Sequence, residues 1–141
     1  MRFLSLIGIV LAFVALNGHQ VMAGTIVVAA DGSGNFRTVG EAVNSVPVNN
    51  QKRVVISIKP GIYEEQLRIP ANKPYITFRG ETAATTILTF KITNKDAGTT
   101  SGAYSVYIGG HDFHAENITF ENSRGRPQGP NQQAVAVVAE A

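Results

Sequence analysis

A carboxamide can support a developing oxyanion, because its NH2 group donates two hydrogen bonds. Gln133 has the context for such work: it stands between a connection rich in Gly, Pro and Arg and a β-prone run, Ala134 to Val138. One donor aimed at the transition state of an ester hydrolysis is worth roughly 3 kcal/mol. It cannot attack the ester by itself, and taken alone the same residue fits an ordinary surface amide bonded to its loop. Other residue sets have less to offer. His111, Asp112 and His114 form the densest cluster of metal-ligating types, yet residues three apart on an extended strand face opposite sides, and the cluster fits a β-turn. Glu64 and Glu65 are adjacent, so on a strand they point apart and are poorly placed to share one substrate bond. Serines, histidines and aspartates are available for a triad, without a GxSxG elbow. The glycine-rich turn DGSGN at 31–35 lacks both the GxxxxGK[ST] pattern and the glycines of a dinucleotide fingerprint. Cysteine is absent, which excludes disulfides, thiol nucleophiles and thiolate metal sites. Asn117-Ile118-Thr119 is an N-glycosylation sequon; turned inward, Asn117 would bond neighbouring chain segments instead.

The elements that must position Gln133 are short strands. TIVVAA at 25–30 is a β-prone run closed by Asp31 to Asn35, with Asn35 a candidate helix N-cap. Phe36, Val39, Val43 and Val46 recur at helical spacing, so an amphipathic helix ending before Pro47 is expected, covering one end or side of a sheet. Further strands are expected at Arg53–Ile58, Tyr75–Phe78, Thr85–Ile92, Tyr104–Ile108, Ile118–Phe120 and Ala134–Val138, and a second apolar pattern follows the first of them in Ile62-Tyr63, Leu67 and Ile69. Thr93 to Gly102 is polar and aperiodic, which predicts a side loop. Ile56 and Phe78 are 22 residues apart and Ile76 and Ile118 are 42 apart, roughly two such intervals. Strands returning at that spacing without long helices between them fit a parallel β-helix. An antiparallel sandwich accommodates the shorter gaps from Ile58 to Leu67 to Ile76, and periodicity alone leaves both open.

Composition narrows the class. The formal charge is +2, from 12 basic and 10 acidic residues, with no basic block, so nucleic acid is not an expected partner. Arg2, the apolar run Leu4 to Leu16 and Val21-Met22-Ala23 make residues 1–23 a secretory signal pattern. The run falls short of the roughly 20 residues that span a bilayer, so no membrane anchor is expected. The remaining residues, 24–141, are enough for one small domain or the N-terminal portion of a larger one, and the last expected strand lies close to Ala141 without a closing cap. An incomplete C-terminal end and an N-terminal fragment of a longer product are therefore expected.

In their order along the chain, VVAADGSGNFRTVGEAVNSVP, VVISIKPGIYEEQLRI, YITFRG, SVYIGGHDFHAENITFENSRG and QQAVAV resemble the catalytic domain of pectinesterases, and the match covers almost all of Thr25 to Val138. The resemblance implies an all-β fold, a right-handed parallel β-helix of the single-stranded, pectin-lyase-like kind. It implies a carboxylic ester hydrolase that removes methyl esters from polygalacturonate in pectin (homogalacturonan), secreted to the extracellular space or cell wall, monomeric, with no metal or organic cofactor. Family members use an aspartate nucleophile, a second aspartate as acid and base, and supporting glutamines.

Residue by residue, Gln133 matches the first oxyanion-supporting glutamine. Thr100 resembles a substrate-contacting threonine, with Ser101 where an aromatic residue is common. Val137-Val138 replaces the usual Leu-Arg. The resemblance places both catalytic aspartates, the second glutamine and an arginine beyond Ala141, and it gives Asp112 no catalytic position. The chain alone is thus expected to be inactive. The alternative is a secreted β-helical fragment that binds carbohydrate or has no catalytic role.

Overall fold

The computed structural model describes residues 24–124 and 133–140. The expected signal at 1–23 and the Gly/Pro/Arg connection at 125–132 lie outside the described residues. The elements in chain order are β1 (Thr25–Val28), α1 (Val39–Ser45), β2 (Val54–Ile58), β3 (Gly61–Glu64), β4 (Leu67–Ile69), β5 (Ile76–Gly80), β6 (Thr86–Phe90), α2 (Asn94–Ala97), a 3-10 turn (Thr100–Gly102), β7 (Tyr104–Ile108), β8 (His114–Glu116), β9 (Thr119–Asn122) and β10 (Val135–Ala139).

These strands wind into three sheets, β1-β2-β5-β8, β3-β6-β9 and β4-β7-β10, and every pairing among them is parallel. The fold is a parallel β-helix, and the antiparallel sandwich is excluded. Like positions stack from coil to coil, which is why short apolar runs suffice. One column runs Ile26, Ile56, Phe78; another Tyr63, Leu88, Phe120; a third Leu67, Val106, Val137. All but Phe120 and Val137 are buried, and each large side chain fully removed from water contributes about 1.5–3 kcal/mol.

Ile56 does face Phe78, so the 22-residue interval is a true coil. The second interval is different. Thr77 pairs with His114 and Phe78 with Ala115, which makes that coil 37 residues long and puts Ile118 past the turn, outside this sheet. The added length is the polar segment between β6 and β7, folded as α2 and the 3-10 turn where a loop is expected. At the corner after β8, Asn117 takes φ +56° and its carbonyl crowds Gly80 so closely that no Cβ fits there.

The first helix is shorter than the apolar spacing predicts. Asn35 is not its cap: Asn35 Oδ1 accepts from the Val27 N–H at 2.8 Å, and Phe36 forms a bridge with Val28. Strand pairing thus consumes the start of the periodic run. Thr38 caps α1 instead, in a reciprocal capping box with Glu41. Val39, Ala42 and Val43 are buried as α1 packs against β1, β2 and β4. Two later residues grip it. Glu65 accepts from the N–H groups of Val39 and Gly40 at 2.7 and 2.9 Å, while Lys73 Nζ donates to the carbonyls of Val43 and Asn44, both at 2.9 Å. Each charge opposes the helix dipole at its end. Burial pushes the Lys73 ammonium pKa down.

Candidate functional site

Gln133 lies two residues before β10, and Thr100 begins the 3-10 turn that leads into β7. Those strands are neighbours: Val135 faces Tyr104 in register, and the Val135 N–H donates to the Ala103 carbonyl at 2.9 Å. Coil stacking therefore brings Gln133 and Thr100, 33 positions apart in the chain, to the same end of one sheet. Both are exposed.

What positions them is α2. Thr93 caps it, its hydroxyl accepting from the Asp96 N–H while the Asp96 carboxylate accepts from the Thr93 N–H and hydroxyl at 3.0 and 2.7 Å. These bonds, hydroxyl first, hold the Asp96 pKa below its ordinary value. Gly98 closes the turn at φ +76°, a left-handed conformation glycine adopts freely. Thr99 then caps the 3-10 turn by accepting from the Gly102 N–H. The side of the turn is fastened by Gln66, whose Nε2 donates to the carbonyls of Gly102 and Tyr104.

Asn94, the first residue of α2, holds Gln133 twice. Its backbone N–H donates to the Gln133 carbonyl at 3.0 Å and its Nδ2 to Gln133 Oε1 at 2.8 Å. With the oxygen committed to Asn94, the amide plane is set, and the NH2 half carries the donors an oxyanion needs. Asn94 is a residue sequence reasoning misses: its partner is 39 positions away. The available signal is the T-x-x-D pattern of Thr93 and Asp96, which marks a helix start directly before it.

The other candidate clusters have local duties. His111 Nδ1 and Asp112 Oδ2 are 2.7 Å apart, the His111 ring meets Tyr75 edge-on, and the Asp112 carbonyl accepts from Arg53. His114 lies on β8. Glu64 is exposed on β3, whereas Glu65 is turned to α1. Asn117 is exposed at its corner; Thr119 of the same sequon donates its hydroxyl to the Ala83 carbonyl.

The pectinesterase family profile matches residues 25–141. The chain belongs to the pectinesterase family. It is 45% identical over 120 residues to Pectinesterase 31 of Arabidopsis thaliana and 41% identical over 112 residues to a pectinesterase of Daucus carota. These alignments cover 78% and 79% of this chain but 37% and 34% of the relatives, so the chain spans about a third of their length. Among solved structures, the pectin methylesterase from carrot superposes with a TM-score of 0.75 at 40% identity, over 81% of this chain and 35% of that one. The Aspergillus niger enzyme gives 0.70 at 30% identity, over 82% and 39%. Pectinesterase membership agrees with the ordered motifs and the three-sheet parallel β-helix.

Proposed function

We propose that this pectinesterase-family chain serves the hydrolysis of galacturonate methyl esters in pectin, with Gln133 as an oxyanion-supporting donor and Thr100 as a substrate contact. The observation that carries the reading is the Gln133 amide, anchored through its oxygen by Asn94 at the rim shared with Thr100. In the family reaction an aspartate attacks the ester carbonyl, the tetrahedral oxyanion collapses as the second aspartate protonates the departing methanol, and water, giving its proton to that aspartate, resolves the acyl-enzyme to a free carboxylate. Gln133 would bind the anion in both steps without exchanging a proton. No organic cofactor or metal enters that reaction, and the partner is methyl-esterified homogalacturonan, met by a secreted monomer.

The short coverage of the relatives bears on where the nucleophile lies. The chain spans about a third of its relatives' length, and the proposed turnover is therefore that of the whole enzyme, with the family's aspartate pair supplied outside the coils described. Intact mass spectrometry of the secreted fraction, paired with a methanol-release assay on esterified pectin, tests this. A species two to three times longer than residues 24–141 that releases methanol is expected, and Gln133→Ala in it lowers kcat by about 10²–10³. A species of residues 24–141 that retains pectin without releasing methanol would instead establish the non-catalytic binding role. Neither release nor retention would defeat both readings.

A further inference from the structure

The sheet that leads to Gln133 carries an aromatic and cationic cluster that ester hydrolysis does not use. Tyr104 and Tyr107, half-buried on β7, have ring centroids 5.6 Å apart and planes tilted by 44°. The guanidinium of exposed Arg68, on β4, lies 4.0 Å from the Tyr107 ring centroid. Tyr107 donates its hydroxyl to Glu140 at 2.7 Å. Register places Arg68, Tyr107 and Val138 in one row across β4, β7 and β10.

We propose that Arg68, Tyr104 and Tyr107 form an accessory subsite for a de-esterified galacturonate unit of the polysaccharide, beside the Thr100–Gln133 rim. The inference rests on the pectin reading and adds a specificity to it. A pyranose presents C–H groups on its faces, and a pair of aromatic rings offers them a surface whose side chains have few torsions to freeze. Arg68 is already stacked on Tyr107, so little of its freedom remains to be lost on binding. Its planar fork matches a carboxylate through two parallel hydrogen bonds. A methyl ester has no charge to return, so the site favours product over substrate. Glu140 sits at the hydroxyl end of Tyr107 and repels a carboxylate there, which orients the sugar acid toward Arg68. The location is continuous with the rim: Tyr104 follows the Thr100–Gly102 turn after one residue, and Val135, two residues past Gln133, faces it in register. A polysaccharide chain lying over the rim therefore reaches the tyrosines along the same sheet.

The test is titration of the 141-residue chain with two oligogalacturonides, one fully de-esterified and one fully methyl-esterified, followed by calorimetry and tyrosine fluorescence. The chain has four tyrosines and no tryptophan, so emission reports the tyrosines directly. The de-esterified ligand is expected to bind about tenfold more tightly, the size of one charge-assisted hydrogen-bonded pair, and to lose that advantage as salt rises. Arg68→Gln is expected to remove the preference while binding of the methylated ligand and the circular dichroism spectrum stay unchanged. Arg68→Lys, which keeps the charge but not the fork, should retain part of it, and Tyr104→Ala should weaken both ligands. An undiminished preference in Arg68→Gln overturns the subsite and leaves the pectin reading standing. Failure of the unsubstituted chain to bind either oligosaccharide also overturns the subsite, while methanol release by the longer species decides the pectin reading separately.

Discussion

Among the described residues two helical insertions interrupt the coils, and they are held in opposite ways. α1 is fastened by residues that arrive later in the chain, Glu65 at its N-terminus and Lys73 at its C-terminus, and it buries Val39, Ala42 and Val43. α2 is closed by its own neighbours, Thr93, Asp96 and Gly98, and buries none of its residues. Its link to the rim runs through Asn94 to Gln133. The first insertion is thus part of the core, whereas the second belongs to the proposed site. A four-residue helix has too few hydrogen bonds to persist without its caps. Its capping is therefore what holds Gln133 in place.

The largest expected effect lies in α1. Val43→Asp buries an unpaired carboxylate in the core, which should cost about 3 kcal/mol or more and show as a collapse of the urea midpoint. A midpoint close to that of the unsubstituted chain would remove α1 from the core. Next in size is Glu65→Ala. It strips a charged acceptor from two partly buried N–H groups, for an expected loss of roughly 1.5–3 kcal/mol in the same measurement.

The corresponding change in α2 should behave differently. Thr93→Ala removes a cap worth roughly 1 kcal/mol, and the loss should appear as faster amide exchange in 94–102 while exchange in β2 and β5 holds. Parallel acceleration in both regions would show that the two insertions are not separate in stability. Acid should reproduce the cap loss. The Asp96 pKa is depressed in the folded chain, so its stabilisation is complete above the ordinary carboxylate value of about 3.9 and disappears as pH falls through the lower, folded value. The Asn94 and Gln133 side-chain amide resonances should move together over that acid range, and an unchanged Gln133 amide would break the proposed linkage. Asn94→Ala should be the mildest change to stability, leaving the melting temperature within about 2 °C, since exposed polar contacts contribute little to the fold. Its effect should be confined to the Gln133 amide, whose two N–H resonances lose their separation as the side chain gains freedom.

The same contrast explains how much is legible in sequence. Ile56 and Phe78 are separated by a coil without insertions, so their spacing gives the register directly. Ile76 and Ile118 span α2 and the 3-10 turn, and spacing cannot tell an inserted element from a further coil. Asn35 and Thr38 are both N-cap types before one apolar run, and strand pairing of Val27 decides between them. Gln133 stands out by type and context, and the family motifs bring Thr100 beside it, but Asn94 is tied to Gln133 only through coil stacking. Tyr104 and Tyr107 illustrate the same limit. A three-residue separation on an ideal strand puts side chains on opposite faces, yet Ser105 turns inward to the Phe90 carbonyl and the rings meet.

The rim of Thr100 and Gln133 is proposed to receive esterified galacturonate. Nuclear magnetic resonance of the ¹⁵N-labelled chain, titrated with fully methyl-esterified oligogalacturonide, tests it most directly. Saturable shifts are expected at the Gln133 side-chain NH2 and the Thr100 backbone amide, with resonances of α1 unmoved. Saturable binding that leaves Gln133 and Thr100 undisturbed would contradict it.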